Sequence, residues 1–104
     1  MPPSLDVLVL LAVKSQQPCQ GTVVWLTIRS VGFRCSIGSV YRSLARLGKY
    51  GRLRSRLMEP TKVRGGRAKR LYHVSARGNA ALDRITLSLH RLCIKAGVQW
   101  VEYD

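Results

Sequence analysis

The side chains best suited to chemistry in this sequence are cations crowded into about a third of the chain. Twelve of the 18 lysines and arginines lie between residues 42 and 77, where the one acidic residue is Glu59. They are Arg42, Arg46, Lys49, Arg52, Arg54, Arg56, Lys62, Arg64, Arg67, Lys69, Arg70 and Arg77. Because a surface shaped only for solubility intersperses both signs of charge, this excess predicts a polyanionic partner. Neutralising phosphates releases counterions, so binding to nucleic acid should weaken steeply with salt.

Catalytic and metal-binding chemistry has few candidate residues. The chain contains five acids and no nucleophile elbow, carboxylate pair or phosphate-loop motif, which leaves little for acid–base catalysis. Neither His73 nor His90 has a second ligand at motif spacing, and three cysteines are too few and too scattered for a metal site. We therefore predict a non-enzyme without metal or cofactor. Cys19, Cys35 and Cys93 are expected to be small buried residues of a reduced, cytoplasmic protein.

The overall composition predicts one globular domain with a large excess of positive charge. The chain has 104 residues, of which 46% are hydrophobic, and a formal net charge of +13. This length can bury a single modest core, and no apolar run approaches the roughly 20 residues that span a bilayer. Repulsion among so many positive charges destabilises the compact state unless an anionic partner relieves it. Such a partner would be nucleic acid, an acidic membrane surface or an acidic protein. The composition favours nucleic acid.

Apolar spacing predicts three helices before a change of period. The first covers about residues 5–14 and the third about 36–49, with serines as candidate N-caps at Ser4 and Ser36. The segment at 21–31 has helical spacing, although its many β-branched residues would also suit a strand.

The helix predicted at 36–49 has two different faces. Val40, Leu44 and Leu47 recur at helical spacing and should face the core. Polar and basic side chains share the other face, namely Ser39, Arg42, Ser43 and Arg46. Such a face is either simply solvated or a binding surface, and the basic segment that follows favours binding.

A period of two then predicts a basic hairpin followed by a long helix. Arg52, Arg54 and Arg56 alternate with other residues in a first strand, and 70–75 forms the second. Simple solvation would explain these arginines equally well. The glycine-centred loop 61–69 should be exposed, and a helix should cover about 76–96, with Ser75 as a candidate N-cap and Gly97 at its end. This order predicts an α+β fold, mainly α: a winged helix-turn-helix with a C-terminal dimerisation helix. Residues 1–75 would bind DNA and 76–104 would dimerise, within one compact domain.

Four motifs resemble those of the PadR-like winged-helix transcriptional regulators. SIGSVYRSLARL at 36–47 is similar to the family pattern S-x-G-[ST]-[LV]-Y-x-x-L-x-R-L, and GRLRSR at 51–56 to its first wing strand. GGR at 65–67 with KRLYHVS at 69–75 resembles the second wing segment, and GNAAL at 78–82 the start of the last helix. The resemblance covers roughly residues 4–96, and the combined spacing is fairly specific.

The resemblance implies a set of DNA contacts. Ser36, Gly38 and Ser39 would lie near phosphates at a helix N-terminus, and Tyr41 would contact a phosphate unless it is a core aromatic. Arg42, Ser43 and Arg46 would face the major groove, with Arg42 as the first candidate to bind guanine. The wing contacts would come from Arg64, Arg67 and Lys69, with Gly65 and Gly66 allowing close backbone approach.

The last helix carries a heptad-like seam. Its members are Leu82, Ile85, Leu89 and Leu92, extended by Ala96. The seam would join two copies or pack on the first helix of the same chain. We expect a homodimeric, nucleoid-associated repressor that binds double-stranded DNA, no membrane and no small-molecule effector. The alternatives are an architectural protein that coats DNA and a basic adaptor that binds RNA or an acidic protein.

Overall fold

The elements follow the predicted order of three helices, a hairpin and a final helix. The computed structural model describes residues 4–58 and 69–98. Within them lie α1 (Leu5–Gln16), α2 (Gly21–Ser30), α3 (Ile37–Lys49), β1 (Leu53–Leu57), β2 (Arg70–Val74) and α4 (Ala76–Ala96). The ambiguous segment at 21–31 is therefore helical. The predicted fold class, mainly α with a two-stranded wing, is confirmed.

Short-range hydrogen bonds set the ends of α3 and α4. The Ser36 hydroxyl accepts from the Ser39 amide at 3.1 Å, and the Ser75 hydroxyl accepts from the Gly78 amide at 3.1 Å. Each bond satisfies a backbone donor that a helix start leaves unpaired. Gly97 ends α4 in the left-handed region at φ +72°, as its type predicts. Ser4 precedes α1 but makes no side-chain capping bond.

The core lies where α1, α2 and α3 meet the hairpin and the beginning of α4. Each element contributes fully or almost fully buried side chains, among them Val13, Val24, Leu44, Leu53 and Leu82. The indole N–H of Trp25 on α2 donates to the carbonyl of Cys35 at 2.9 Å, which fixes the turn before α3. The start of α3 is thereby held against α2.

Leu82 corrects the prediction for the dimer seam. Its side chain is 2% exposed and belongs to the core of its own chain. It therefore cannot supply apolar surface to a partner, and the prediction for this residue is wrong. The first turns of α4 complete the core, as the alternative of intrachain packing anticipated for part of the seam.

The two strands pair in antiparallel register from Leu53 opposite Val74 to Leu57 opposite Arg70. Cys19 adds a bridge to Tyr72, with backbone hydrogen bonds of 3.2 and 2.8 Å that tie the connection between α1 and α2 to β2. The hairpin loop predicted at 61–69 lies outside the described residues except for Lys69. The predictions for Arg64, Gly65, Gly66 and Arg67 lie outside them as well.

Candidate nucleic-acid interface

The outward face of α3 is rotated from the face that the spacing predicts. Val40, Ser43, Leu44 and Leu47 are the buried residues of this helix. Since successive residues turn by about 100°, the opposite side is centred on a line through four others. They are Gly38, Arg42, Ala45 and Lys49. Three of these, Arg42, Ala45 and Lys49, are exposed and Gly38 is half-buried.

Lys49 and Ala45 therefore join the outward face of α3 as candidate contacts that the sequence prediction did not include. The signal was present, because Lys49 follows Arg42 by seven residues and Ala45 follows it by three, which places all three on one helical stripe. The prediction instead grouped Arg42 with Ser39, Ser43 and Arg46, since all four side chains are polar or basic.

At the start of α3, three polar side chains form a connected row. The Ser36 hydroxyl donates to the Ser39 hydroxyl at 2.8 Å, and Arg42 Nη2 donates to the same oxygen at 3.0 Å. The helical bonding begins when the Val40 amide donates to the Ser36 carbonyl at 3.2 Å, so the Gly38 amide lies in the first, unbonded turn. This end of α3 thus combines oriented amides with a guanidinium, both of which favour an anion.

Ser43 corrects a second prediction. Its side chain is fully buried, and its hydroxyl donates to Asp6 Oδ1 on α1 at 2.6 Å. Ser43 therefore faces the core side of α3 and cannot contact a DNA groove. The hydrogen bond to this carboxylate, which is distant in sequence, offsets the free-energy cost of burying the hydroxyl.

Arg46 contacts the same carboxylate and is also partly exposed to solvent. Its Nε donates to Asp6 Oδ2 at 3.0 Å and its Nη2 donates to Asp6 Oδ1 at 2.6 Å, while about half of its side chain stays exposed. The hydrogen bond from Arg46 lowers the pKa of Asp6 below its ordinary range, against the opposing effect of burial, and Ser43 lowers it further. Asp6 is therefore ionised at neutral pH.

The hairpin adds a second basic surface beside α3. Arg54, Arg56, Lys69 and Arg70 are all exposed, and Arg70 Nη1 donates to the Ser55 hydroxyl at 3.2 Å. Within residues 4–58 and 69–98 the one ion pair is that between Asp6 and Arg46. These hairpin cations are therefore not neutralised by a carboxylate of the described parts of the chain.

An open cleft of about 560 Å³ connects the hairpin to the start of α2. Its lining residues are Gln20, Gly21, Thr22, Tyr41, Lys69, Arg70 and Tyr72. Tyr41 is 44% exposed, and a Cβ at Gly21 would lie only 2.6 Å from its ring. Its ring thus packs on Gly21 while part of it remains open to solvent, and the alternative of a core aromatic is not supported. Neither the start of α2 nor Arg70 was among the DNA contacts predicted from the sequence.

The apolar surface of α4 lies beyond its first turns. Ile85 is half-buried, whereas Leu89 is 44% exposed and Leu92 is 61% exposed. Leu87 and Ile94 expose further apolar surface on another side of the helix. The later part of the predicted seam is therefore available to a partner.

Two other kinds of site have no support in the part of the chain that the structure describes. No three His, Cys, Asp or Glu side chains there come together as a metal site. None of the helices described has the length and apolar character needed to cross a membrane.

Comparison with known proteins finds similar structures but no similar sequences. No protein-family model matches the chain, and no curated protein matches it. A PadR-like transcription factor from Bacteroides fragilis has a TM-score of 0.78 at 18% identity, over 89% of this chain and 86% of that one. A PadR-like transcriptional regulator from Bacillus cereus has a TM-score of 0.72 at 22% identity, over 89% and 87%. A PadR family regulator from Clostridium difficile has a TM-score of 0.71 at 20% identity, over 88% and 91%.

These similarities establish the fold. The chain has the winged-helix architecture of the PadR-like regulators over most of its length, and the resemblance inferred from its motifs is confirmed at that level.

Proposed function

We propose that this protein is a non-enzymatic transcriptional regulator that binds double-stranded DNA in a sequence-specific manner. The observation that carries the proposal is the exposed stripe of α3, where Arg42, Ala45 and Lys49 face outward beside the basic hairpin. A helix of this kind fits the major groove, and cations on a neighbouring hairpin fit the adjacent phosphates or the minor groove.

Separate residues would read bases and bind the backbone. Arg42 stands on the outward stripe and can bind guanine bidentately, while Ala45 can contact a thymine methyl group. Near the phosphates we place Ser36, Gly38, Ser39, Tyr41 and Lys49. The wing contacts would come from Arg64, Gly65, Gly66, Arg67, Lys69 and Arg70. Ser43 is no longer among the proposed contacts.

The regulator would act as a homodimer. Leu89 and Leu92 expose apolar side chains on consecutive turns of α4, and Ile85 extends that surface toward the core. Pairing of this surface around a two-fold axis would remove it from water, which is the main source of association free energy. Two copies would then bind an inverted repeat and repress by occupying it, in the cytoplasm on the nucleoid.

In vitro selection from a random duplex library tests the proposal, with the mass of the protein in solution measured alongside. We expect an inverted repeat with half-sites about one helical turn apart. Arg42→Ala should cost roughly 1–3 kcal/mol on the selected site and relax one base position. Arg91→Ala is the matched control, because it removes the same charge from an exposed position on α4. Selection that enriches no repeat would refute the sequence-specific function.

The net charge of +13 favours one competing function, the coating of DNA without base preference. The two functions differ in the ratio of specific to non-specific affinity at physiological salt. A ratio near one indicates coating, whereas about a thousand or more indicates regulation. Preference for structured RNA or for an acidic protein over duplex DNA in competition would instead indicate an adaptor.

A further inference from the structure

We infer that Asp6 is a positioning residue of the DNA interface: it orients Arg46 for one geometry of contact and cancels its attraction to DNA in general. This inference rests on the proposed function. Asp6 would thus raise the ratio of specific to non-specific affinity, the specificity ratio. It would do so although it carries the same sign of charge as DNA and lies on α1 rather than on α3.

The geometry of the ion pair leaves one edge of the guanidinium for a ligand. Asp6 occupies the edge formed by Nε and Nη2 through both of its oxygens, at 3.0 and 2.6 Å. The other edge, formed by Nη1 and the second hydrogen of Nη2, makes no hydrogen bond within the described residues. Because the guanidinium is planar, fixing one edge fixes the direction of the other. That edge matches a phosphate or the O6 and N7 atoms of guanine.

Ser43 keeps the carboxylate itself in place. Its fully buried hydroxyl donates to Asp6 Oδ1 at 2.6 Å, so the carboxylate bridges α1 and α3 through two side chains of α3. Ser43 and Arg46 are three residues apart and lie on neighbouring turns of one side of the helix. The side chain of Asp6 is 26% exposed, which limits competition by water. Arg46 therefore starts from a preorganised position rather than from many rotamers.

The position of Arg46 on α3 places the free edge of its guanidinium beside the exposed stripe of that helix. Arg46 lies about 70° around the helix from the axis of the stripe through Arg42 and Ala45. A long side chain at that angle reaches the border of the groove that the stripe would enter. Held by Asp6, it can contact only an acceptor at that border.

Charge cancellation supplies the second half of the effect. Asp6 and Asp83 are the acidic residues of the described ranges 4–58 and 69–98, among a large excess of cations. Asp83 is exposed on α4, whereas Asp6 forms its ion pair with Arg46 of α3 and has Arg52 as a weaker electrostatic neighbour. A free Arg46 would add an attraction to any phosphate within its reach, so non-specific binding would strengthen, while the oriented contact at the specific site would be lost.

The test compares Asp6→Asn with Asp83→Asn, which makes the same change in net charge away from α3. Affinities for the selected site and for a scrambled duplex are measured over a salt series. Asp6→Asn should bind the scrambled duplex more tightly, with a salt slope steeper by about one unit. Its specificity ratio should fall about tenfold, as expected for loss of one oriented bidentate contact. Asp83→Asn should leave the ratio unchanged.

Two further variants separate positioning from a general effect on the fold. In an Arg46→Ala background, Asp6→Asn should not change the ratio further, because Asp6 acts through Arg46. Arg46→Lys keeps the charge but lacks the planar fork, so it should lower the ratio without steepening the salt slope. It carries the test if Asp6→Asn does not fold.

The outcomes distinguish this inference from the proposed function. A wild-type ratio of about a thousand with unchanged ratios in Asp6→Asn and Arg46→Lys overturns the inference alone. An equal fall in the Arg46→Ala background also overturns it. A wild-type ratio near one overturns the proposed function and the inference together.

Discussion

Replacing Gly78 with alanine should destabilise the protein, although alanine is the better helix former. Gly78 lies in the first turn of α4, which approaches the backbone of Arg52, the residue before β1. A Cβ at this position would overlap the backbone carbonyl oxygen of Arg52 and would lie 2.7 Å from Val74 Cγ1. The carbonyl cannot move freely, because it accepts a 3.1 Å hydrogen bond from the Ser75 amide.

Helix propensity and overpacking change the free energy of unfolding in opposite directions, and the larger of the two gives the sign. The higher helix propensity of alanine stabilises by up to about 1 kcal/mol. Overpacking against a fixed backbone costs about 1–3 kcal/mol, and weakening the Ser75 bond costs about 1 kcal/mol more. The net effect is a loss of about 1–3 kcal/mol, which lowers the melting temperature by roughly 5–20 °C in a domain of this size. Thermal unfolding followed by circular dichroism, with urea unfolding beside it, measures both quantities.

Gly48→Ala is the matched control for this substitution. Gly48 is also helical, but no atom lies within 4 Å of the Cβ that would be added there. The same chemical change should therefore stabilise by about 0.5–1 kcal/mol. If Gly78→Ala melted at or above the wild-type temperature, the close approach of α4 to the Arg52 carbonyl would not require glycine at this position.

Three other predictions concern the dimer, pH and thiol reactivity. Leu92→Glu should shift sedimentation toward the monomer with little change in monomer stability, whereas Leu82→Ala should cost about 2–5 kcal/mol because it empties a core position; similar effects on both would contradict their separate roles. The pKa of Asp6 is below its ordinary 3.8 in the folded protein, so the stability that this carboxylate contributes should be fully present at neutral pH and be lost as the pH drops through about 3.8 toward the folded pKa. Asp6→Asn should remove that part of the acid unfolding curve, and an unchanged curve would count against the pair. Burial raises the pKa of the Cys19 thiol, so mass spectrometry after brief alkylation of the folded protein should find Cys19 less modified than Cys35 or Cys93.

Local chemistry predicted most of the elements. Ser36 and Ser75 begin helices as their hydroxyls and positions indicated, and Gly97 ends α4. The segment at 21–31 could not be assigned, because β-branched residues at helical spacing satisfy two local preferences at once. Packing of Val24 and Ile28 into the core selects the helix.

The residues alone predict the order of helices and strands, the excess of cations around α3 and the hairpin, and the serine and glycine positions that bound two helices. Those features follow from near neighbours in the chain, where capping bonds and side-chain periodicity act. The direction in which α3 faces depends instead on contacts between residues far apart in the chain. Asp6, 37 residues before Ser43 and 40 before Arg46, satisfies the buried hydroxyl and restrains the arginine. Periodicity shows which residues share a face, but a polar face can turn inward when a distant partner meets its hydrogen bonds. Periodicity also does not show where along α4 the core ends: Leu82, first in a regular seam, is buried, while Leu89 and Leu92 remain outside the core.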